Sequence, residues 1–300
     1  MAGFSKNDER FRTYALSAPP LRALVTVCAP LALYQALNTI FKILDALMAA
    51  HISSNAVSAV SCLSQITLMI TALGSGLAVG GSIKISEAYG QGDGELMSRR
   101  VATVYAMAGV VSALVAVTLI PFAEPFLRLL QTPEELIETG SSYFRIEVFT
   151  LVVNFFNTVY IAIERSRGHA KKILVLNVVI IVVKLGLSAL WGYGRQGDLV
   201  LIAVASLAGQ LLLCAYAVFS MVRDEGVFRF SVKNISWRRD TTLPILDLSY
   251  PVAAEKMFFA GGKVVVNSMS GLYGSLTVGA LGISNNIGGL TTSWHSGLQD

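Results

Sequence analysis

The chain has 300 residues, of which 54% are hydrophobic and 14% are charged, and its mean hydropathy is +0.61. Soluble domains carry about 25% charged residues, so this composition indicates a membrane protein and argues against most soluble classes. The net charge of +4 does not indicate a nucleic-acid partner, because the basic residues lie in short segments between apolar spans and form no single basic face.

Eight apolar segments reach the length of about 20 residues that a helix needs to cross a bilayer core. They lie near residues 23–50, 56–86, 101–122, 143–163, 173–193, 199–222, 245–271 and 276–298. The sequence therefore predicts an all-α integral membrane protein, a multi-pass helical bundle.

Basic residues collect in every second connection between these spans. They lie before the first span and after the second, fourth and sixth, whereas the other connections hold chiefly Arg128 and Arg195. Because positively charged loops are retained in the cytoplasm, we expect a cytoplasmic N-terminus and cytoplasmic even-numbered connections. The predicted location is the inner cell membrane.

The first span carries a polar stripe. Gln35, Asn38, Lys42 and Asp45 follow one another at steps of three, four and three residues, which places them on one helix face. A charge at the bilayer centre costs about 2.5–3.5 kcal/mol on insertion scales and must be paired, hydrated or neutralised. Two interpretations stay open: Lys42 and Asp45 pair locally, or Asp45 binds and releases H⁺ or Na⁺ during transport.

Three further spans carry similar stripes, as the lining of a shared cavity would. They are Glu147, Asn154 and Asn157 on the fourth span, Asn177, Lys184 and Ser188 on the fifth, and Lys256, Lys263 and Asn267 on the seventh. For the Asn and Ser members the alternative is a structural hydrogen bond between helices, worth on the order of 0.6–2 kcal/mol.

The second span contains closely spaced glycines. Gly74, Gly76, Gly80 and Gly81 permit close approach of neighbouring helices. The glycine-rich turn that follows offers Asp93 as a cap for the next helix. This turn lacks the Gly-Lys-Ser/Thr ending of a phosphate-binding loop, so an ATP-driven pump is not supported.

The chain contains an internal repeat, since residues 30–77 and 251–298 align without a gap at a shift of 221 residues. Identical pairs include Pro30 and Pro251, Lys42 and Lys263, Met48 and Met269, and the run Ser75, Gly76, Leu77 with Ser296, Gly297, Leu298. Same-direction duplication in a membrane chain is typical of secondary transporters, which rock one half against the other.

The repeat predicts the domain organisation. Residues 1–222 form an N-terminal six-helix lobe, residues 223–243 a cytoplasmic linker, and residues 244–300 the start of a pseudo-symmetric C-terminal lobe. A second copy that mirrors all six spans would end near residue 443, from 222 plus 221. We therefore expect the full protein to have twelve helices and about 140 more residues.

Four motifs follow one another along the chain. They are Leu44-Asp45 before the alanines of the first span, the run Gly76 to Gly81 followed by Ser86 to Asp93, Arg165 to Gly168 followed by Lys171, and Tyr250 to Glu255. In order and spacing they together resemble the motifs of the multidrug and toxic compound extrusion (MATE) transporters. The resemblance covers nearly the whole chain. It implies two six-helix lobes, a cleft lined largely by helices 1, 2, 7 and 8, and export coupled to entry of H⁺ or Na⁺.

The resemblance also implies roles for individual residues. Asp45 takes the position of the family's first-helix acid, which is linked to cation coupling, and Asn177 that of an asparagine in the fifth helix. Glu255 is the further coupling candidate, followed by Glu147. No cofactor other than the coupling ion, no catalytic residue and no metal ligand is expected.

We expect the substrate cavity to be lined by polar and basic side chains. They are Gln35, Asn38, Lys42, Lys184, Lys256, Lys263 and Asn267. Lys184 stands where the resembled family often has Asn or Asp. Because like charge disfavours a cationic guest, we hypothesise an anionic or zwitterionic solute.

The sequence thus predicts a secondary active transporter that exports small organic solutes in exchange for H⁺ or Na⁺ by alternating access. Its partners would be a small-molecule substrate and membrane lipid, without nucleic acid and, at full length, without an obligate protein partner. The alternative is a flippase for a lipid-linked or phosphate-bearing precursor, which basic residues suit. A membrane-embedded enzyme is not favoured, because His51, His169 and His295 lie far apart in sequence.

Overall fold

The computed structural model describes residues 6–52, 54–129, 134–194, 199–224 and 226–299. These residues form ten α-helices and one short 3-10 helix, η1, and they include no strand. The helices are α1 (Lys6–Ser17), α2 (Pro20–Ile52), α3 (Ser54–Gln91), α4 (Gly94–Leu119), α5 (Ala123–Leu129), α6 (Glu134–Ser166), α7 (Ala170–Gly194), α8 (Leu199–Arg223), η1 (Val232–Asn234), α9 (Arg239–Gly271) and α10 (Ser275–Gln299). The predicted all-α class is confirmed.

Each of the eight predicted spans coincides with one helix, and only the third overruns its helix, because α4 already ends at Leu119. Helices α1 and α5 were not predicted, since one is polar and both are far shorter than a membrane span. Within the residues that the structure describes, four segments are apolar and long enough to cross a membrane by length and composition. They are Ile66–Gln91, Gly94–Leu119, Ser141–Ser166 and Val200–Arg223.

Helix α3 is the axis around which the bundle is built, and its glycines lie at the closest approaches. It packs against α2, α4, α6, α9 and α10. A Cβ atom on Gly74 would overlap the ring of Phe155 on α6, and one on Gly81 would lie 2.7 Å from a methyl carbon of Val104 on α4. The glycines therefore allow the six-helix part of the chain to close around α3, as the spacing predicts.

Two other glycines of α3 allow α9 to cross it almost backbone to backbone. A Cβ atom on Gly76 would lie 2.5 Å from the Cβ of Ala253, and one on Gly80 would lie 2.6 Å from the backbone nitrogen of Ser249. Real Cβ atoms do not approach other atoms so closely. The first and second copies of the repeat are thus joined through a contact that only glycine permits.

The packing of α2, α3, α9 and α10 follows the internal repeat. Under the shift of 221 residues α2 corresponds to α9 and α3 to α10, so the packed pair α3 and α9 corresponds to the packed pair α10 and α2. Gly261 meets Met69, and Gly289 meets Thr39. When the residue numbers are shifted by 221, the first contact falls within one residue of the second. This agreement is expected for repeats related by an axis along the membrane normal.

The N-terminal helix and three connections meet at one end of the bundle, which we call the α1 end. Arg12 donates a hydrogen bond of 2.9 Å to the carbonyl oxygen of Gly90, and Asn234 of η1 donates one of 3.0 Å to Ser98. Asp93 caps α4, as predicted, by accepting from the backbone nitrogen of Leu96. The connections with the cytoplasmic charge pattern are therefore grouped at one end, and the side of the membrane stays a prediction.

A buried ionic cluster fixes the α1 end. Arg167 is 8% exposed and binds Asp8 through two bonds of 3.0 and 3.1 Å. Its Nη1 donates to Asp224 at 2.7 Å and approaches Glu164 at 3.4 Å, while its guanidinium carbon lies 4.4 Å from the centre of the Phe228 ring. One side chain therefore links α1, α6 and the segment between α8 and α9.

These neighbours stabilise the positively charged form of Arg167. Burial alone would lower the pKa of Arg167, but the hydrogen bond to Asp8 and the charges of Glu164 and Asp224 outweigh burial and raise the pKa above its ordinary value. The guanidinium therefore supplies a stable positive charge to the surrounding carboxylates.

We predict that Gly76→Ala destabilises the protein, because the new Cβ atom overlaps the backbone of Ala253 and forces α9 away from α3. Overpacking of this kind costs about 1–3 kcal/mol. Thermal unfolding of the detergent-solubilised protein measures the effect. The matched control is Gly262→Ala on α9, which meets nothing within 4 Å; an equal fall in Tm for both variants would contradict the crossing.

We also predict that Arg167→Met lowers stability by about 3–5 kcal/mol, because it removes the cation that pairs with Asp8 and Asp224 in the buried cluster. The matched control is Arg238→Met, whose ion pair with Asp240 at 3.4 Å is exposed on both sides and should contribute about 0–1 kcal/mol. The Tm of both variants in detergent tests the prediction. Similar small shifts for the two would show that the buried cluster does not hold the α1 end together.

Candidate functional site

The predicted site residues divide between two regions, because their helices have different neighbours. Helix α7 packs against α2, α6 and α8, whereas α9 packs against α3, α4 and α10, and α2 contacts both α7 and α10. The α7 residues therefore face the interior of the first lobe, and the α9 residues lie at the junction of the two copies. The residues on α7 are Asn177 and Lys184, those on α9 are Glu255, Lys256, Lys263 and Asn267, and those on α2 are Gln35, Asn38, Lys42 and Asp45.

At the junction of the two copies, α9 carries both buried and half-buried polar groups. Asn267 is 4% exposed, and its Oδ1 has no hydrogen-bond partner among the described residues. Lys256 and Lys263 are half-buried, and the Lys263 ammonium lies 4.8 Å from the centre of the Phe259 ring, within the range of a cation–π contact. Glu255, in contrast, is exposed.

The stripe on α2 reaches the same junction. Gln35 and Asn38 are half-buried, and Thr39 beside them contacts Gly289 of α10, where an added Cβ would lie 3.3 Å from its methyl carbon. The helix continues through Lys42 and Asp45, whose side chains lie outside the described residues. The two interpretations of that pair therefore both stay open.

Helices α2 and α7 run side by side from the α1 end. Thr26 of α2 lines a cavity together with residues 168–172 at the start of α7. A little deeper, Leu31 packs against Ala170 and Ile173. This contact fixes the register of the two helices.

The register brings the backbone positions of Asp45 and Lys184 to a similar depth. Asp45 lies fourteen residues beyond Leu31, and Lys184 lies eleven beyond Ile173, which is about 21 and 17 Å along the two axes at 1.5 Å per residue. Both intervals are close to whole numbers of helical turns. The two positions therefore fall near the line along which α2 and α7 face each other.

Lys184 itself is buried inside the first lobe. It is 8% exposed and packs against α8, where an added Cβ on Gly209 would lie 3.7 Å from the Lys184 Cβ. On the same helix, the Asn177 Nδ2 and the Ser188 Oγ are buried without a hydrogen-bond partner in the described ranges. A charged group in such surroundings is costly in a membrane.

A second polar contact lies beside Lys184, between α6 and α8. The Asn157 Nδ2 donates to the Gln210 carbonyl oxygen at 2.9 Å and to the Gln210 Oε1 at 2.8 Å. Asn157 is fully buried. Asn157 belongs to the polar stripe that was predicted on the fourth span, and this contact supplies its hydrogen-bond partner. Gln210 was not among the predicted residues.

Sequence reasoning also missed the polar residues that continue this interior to the α1 end. The Lys172 Nζ lies 3.2 Å from the Ser220 Oγ and 3.1 Å from the Glu164 Oε2, and Glu164 lies 2.8 Å from the His169 Nδ1. The signal was present, because the stripe through Asn157 reaches Glu164 after seven more residues. The predicted span ended at residue 163, one position too early to include it.

The described ranges contain no group of three or more His, Cys, Asp or Glu side chains placed to hold a metal ion. The groups that they do bring together can form hydrogen bonds and exchange protons. These groups supply donors and acceptors of graded strength. They are a buried lysine, amides, tyrosine hydroxyls and the half-buried His169 beside a buried carboxylate.

The MatE family model matches residues 30–190, more than half of the chain. The probable multidrug resistance protein YoeA of Bacillus subtilis (strain 168) is 23% identical over 294 residues, which are 94% of this chain and 63% of that protein. The probable multidrug resistance protein YpnP of the same organism is 25% identical over 281 residues, with 91% and 61% covered. The chain thus spans about three-fifths of the length of these relatives.

Solved structures with the same fold are MATE transporters and a relative in their superfamily. The MATE multidrug transporter DinF-BH has a TM-score of 0.85 at 18% identity, over 98% of this chain and 66% of that one. A MOP superfamily transporter from Pyrococcus furiosus Vc1 (DSM3638), described by the reverse polarity of its binding pocket, has a TM-score of 0.77 at 19% identity, over 97% and 67%. The likeness in fold and the match over residues 30–190 lead to one conclusion: the chain belongs to the MatE family.

Proposed function

We propose that the chain is the first part of a secondary active transporter that exports small organic solutes in exchange for H⁺ or Na⁺ by alternating access. The observation that carries the proposal is the junction of α2, α3, α9 and α10, where two copies of one repeat pack together. Parallel repeats around a polar junction are the architecture of transporters that rock one half against the other. The names of the relatives, multidrug resistance proteins, agree with export and with a non-enzymatic role.

The contact at Gly76 and Gly80 supports a rocking motion. The two helices touch there through backbone and small side chains. Packed helices of this kind slide and tilt by small amounts without unpacking. The crossing is therefore a suitable pivot between inward-open and outward-open forms.

We assign the coupling ion to the carboxylate of Asp45. The similar depth of Asp45 and Lys184 supports the assignment, because a buried lysine near a carboxylate acts as a built-in competitor for the exchanged cation. Asn177 on the same helix as Lys184 would orient these groups, and Glu255 is a weaker candidate because it is exposed.

Asp45→Asn is expected to abolish solute export driven by a pH or Na⁺ gradient, because an amide neither takes up a proton nor pairs with a cation. The measurement is dye export by the full-length protein in proteoliposomes. The matched control is Asp247→Asn, an exposed acid on α9, which should export normally. Gradient-driven export that persists in Asp45→Asn would move the coupling role to Glu255 or Glu147.

The substrate region is basic on the side of the second copy. Lys256 and Lys263 are half-buried at the junction, and Lys42 lies in the α2 stripe that reaches it. A related transporter of known structure is described by a reversed pocket polarity, so pocket charge varies within the superfamily. We propose that this protein handles an anionic or zwitterionic solute.

The double variant Lys42→Gln and Lys263→Gln is expected to weaken export of an anionic dye by about tenfold, the equivalent of 1.4 kcal/mol, and to leave a cationic dye unaffected or improved. Lys233→Gln in the exposed η1 is the control, and it should change neither rate. Unchanged export of both dyes in the double variant would contradict an anion-selective junction.

The same basic groups favour a second candidate, a flippase for a lipid-linked or phosphate-bearing precursor, because lysine binds phosphate well. Lipid-linked sugar phosphates and soluble dyes compared in the same proteoliposomes distinguish the two. Movement of the lipid-linked compound alone would favour the flippase. In either case we place the protein in the cell membrane with the α1 end in the cytoplasm, on the strength of the basic connections.

A further inference from the structure

The interior of the first lobe contains a row of buried polar atoms that no group among the described residues satisfies. They are the Asn157 Oδ1, the hydroxyl oxygens of Tyr105 and Tyr160, the Asn177 Nδ2 and the Ser188 Oγ. All five belong to α4, α6 or α7, and none belongs to α2, α9 or α10. The row is therefore separate from the junction at which we place the substrate.

The row can be followed from deep in the lobe to the α1 end. Deep in the lobe, Lys184 packs beside Gly209. The next residue, Gln210, binds Asn157. Tyr160 follows Asn157 by three residues on α6, so the two side chains are neighbours on the helix surface. This last step is about one helical turn, roughly 5 Å.

Tyr160 connects this part to the charged groups near the surface. The Tyr160 ring is 1% exposed, and its centre lies 5.6 Å from the Lys172 Nζ. Its hydroxyl has no partner of strict hydrogen-bond geometry among the described residues, but it lies close enough to Ser220 and Lys172 to interact with both. A buried hydroxyl between an ammonium group and another hydroxyl can pass a proton to either side, directly or through a water.

The row ends at a group that water reaches. Lys172 binds Glu164 at 3.1 Å, and Glu164 binds His169 at 2.8 Å. The side chain of Glu164 is 2% exposed and that of His169 is 31% exposed. His169 and Lys172 also line the cavity at the α1 end together with Thr26. Protons can therefore enter or leave the row there.

Energetics favour water in this row. A buried polar group without a hydrogen bond costs about 1–3 kcal/mol, and five such atoms in one lobe would cost several times that amount. Buried waters satisfy such groups when two to four polar partners are near. Asn157 and Tyr160 on α6, Lys172 on α7 and Ser220 on α8 supply such partners.

We propose that this row, filled with ordered water, carries protons between the level of Lys184 and the α1 end. A proton released near Lys184 passes along waters and hydroxyl groups to Glu164 and His169 and then to bulk water, with no net chemical change in the protein. We name it the lobe file, formed by Lys184, Asn157, Tyr160, Lys172, Glu164 and His169. The inference rests on the proposed cation-coupled export and adds the route of the ion.

Tyr160→Phe is the sharpest test, because it removes one hydroxyl of the lobe file and keeps the ring that packs in the core. If the hydroxyl serves only packing and local bonding, the variant moves protons at the wild-type rate. If the hydroxyl holds a water of the lobe file, proton movement slows. We expect proton flux to fall by about tenfold, equivalent to 1.36 kcal/mol in the barrier. Asn157→Leu should reduce it further.

The experiment uses the full-length protein in proteoliposomes, with a pH-sensitive dye inside and with ethidium or fluorescein as the transported probe. Proton flux during export is compared with exchange of labelled for unlabelled probe at equal pH, which reports binding and rocking without net proton movement. Both lobe-file variants should keep exchange and lose proton flux. Tyr250→Phe, an exposed tyrosine on α9, should keep both.

Three results would overturn the proposal or its foundation. Wild-type proton flux in both Tyr160→Phe and Asn157→Leu would mean that the row is structural packing. A wild type that exports the probe with Na⁺ and moves no protons would overturn the lobe file and leave export standing. A wild type that neither exchanges nor exports any probe, including a lipid-linked sugar phosphate, would overturn the proposed function itself.

Discussion

The four glycines of α3 set the distances on which the rest of the bundle depends. Helices in lipid associate through close packing, since lipid tails are as apolar as the side chains they would replace. Gly74 and Gly81 bring α6 and α4 against α3, and Gly76 and Gly80 bring α9 against it. One helix thus determines both the closure of the first lobe and the position of the second copy.

The α1 end adds charge to this packing. Arg167 holds Asp8 and Asp224 in one buried cluster, and Thr103 of α4 bonds with the backbone of Ser236. The segment between α8 and α9 is therefore attached to the first lobe along most of its length. Motion of the second copy would have to begin near the start of α9, which also contains Pro244 and Pro251, and prolines weaken the helical hydrogen bonding there.

Much of the fold could be predicted from sequence, because hydropathy gives the spans, charge groups the connections and glycine spacing marks the close contacts. The site could be predicted less well. Periodicity placed Asn177, Lys184 and Asn267 on polar helix faces. It does not identify the helix against which each face packs. One shared cavity was therefore expected, whereas the structure places these residues in two regions. The partners of Arg167 could not be predicted from the sequence, because Asp8 and Asp224 lie 159 and 57 residues away along the chain.

The crossing of α3 and α9 also has a consequence for biogenesis. Ser249 follows Gly80 by 169 residues, so at a synthesis rate of about 5–20 residues per second the partner arrives roughly 10–30 s later. During that interval the groove at Gly76 and Gly80 has no protein to cover it. A newly inserted first lobe therefore presents a narrow strip of bare backbone to lipid, and the membrane insertion machinery has to shield it until α9 enters.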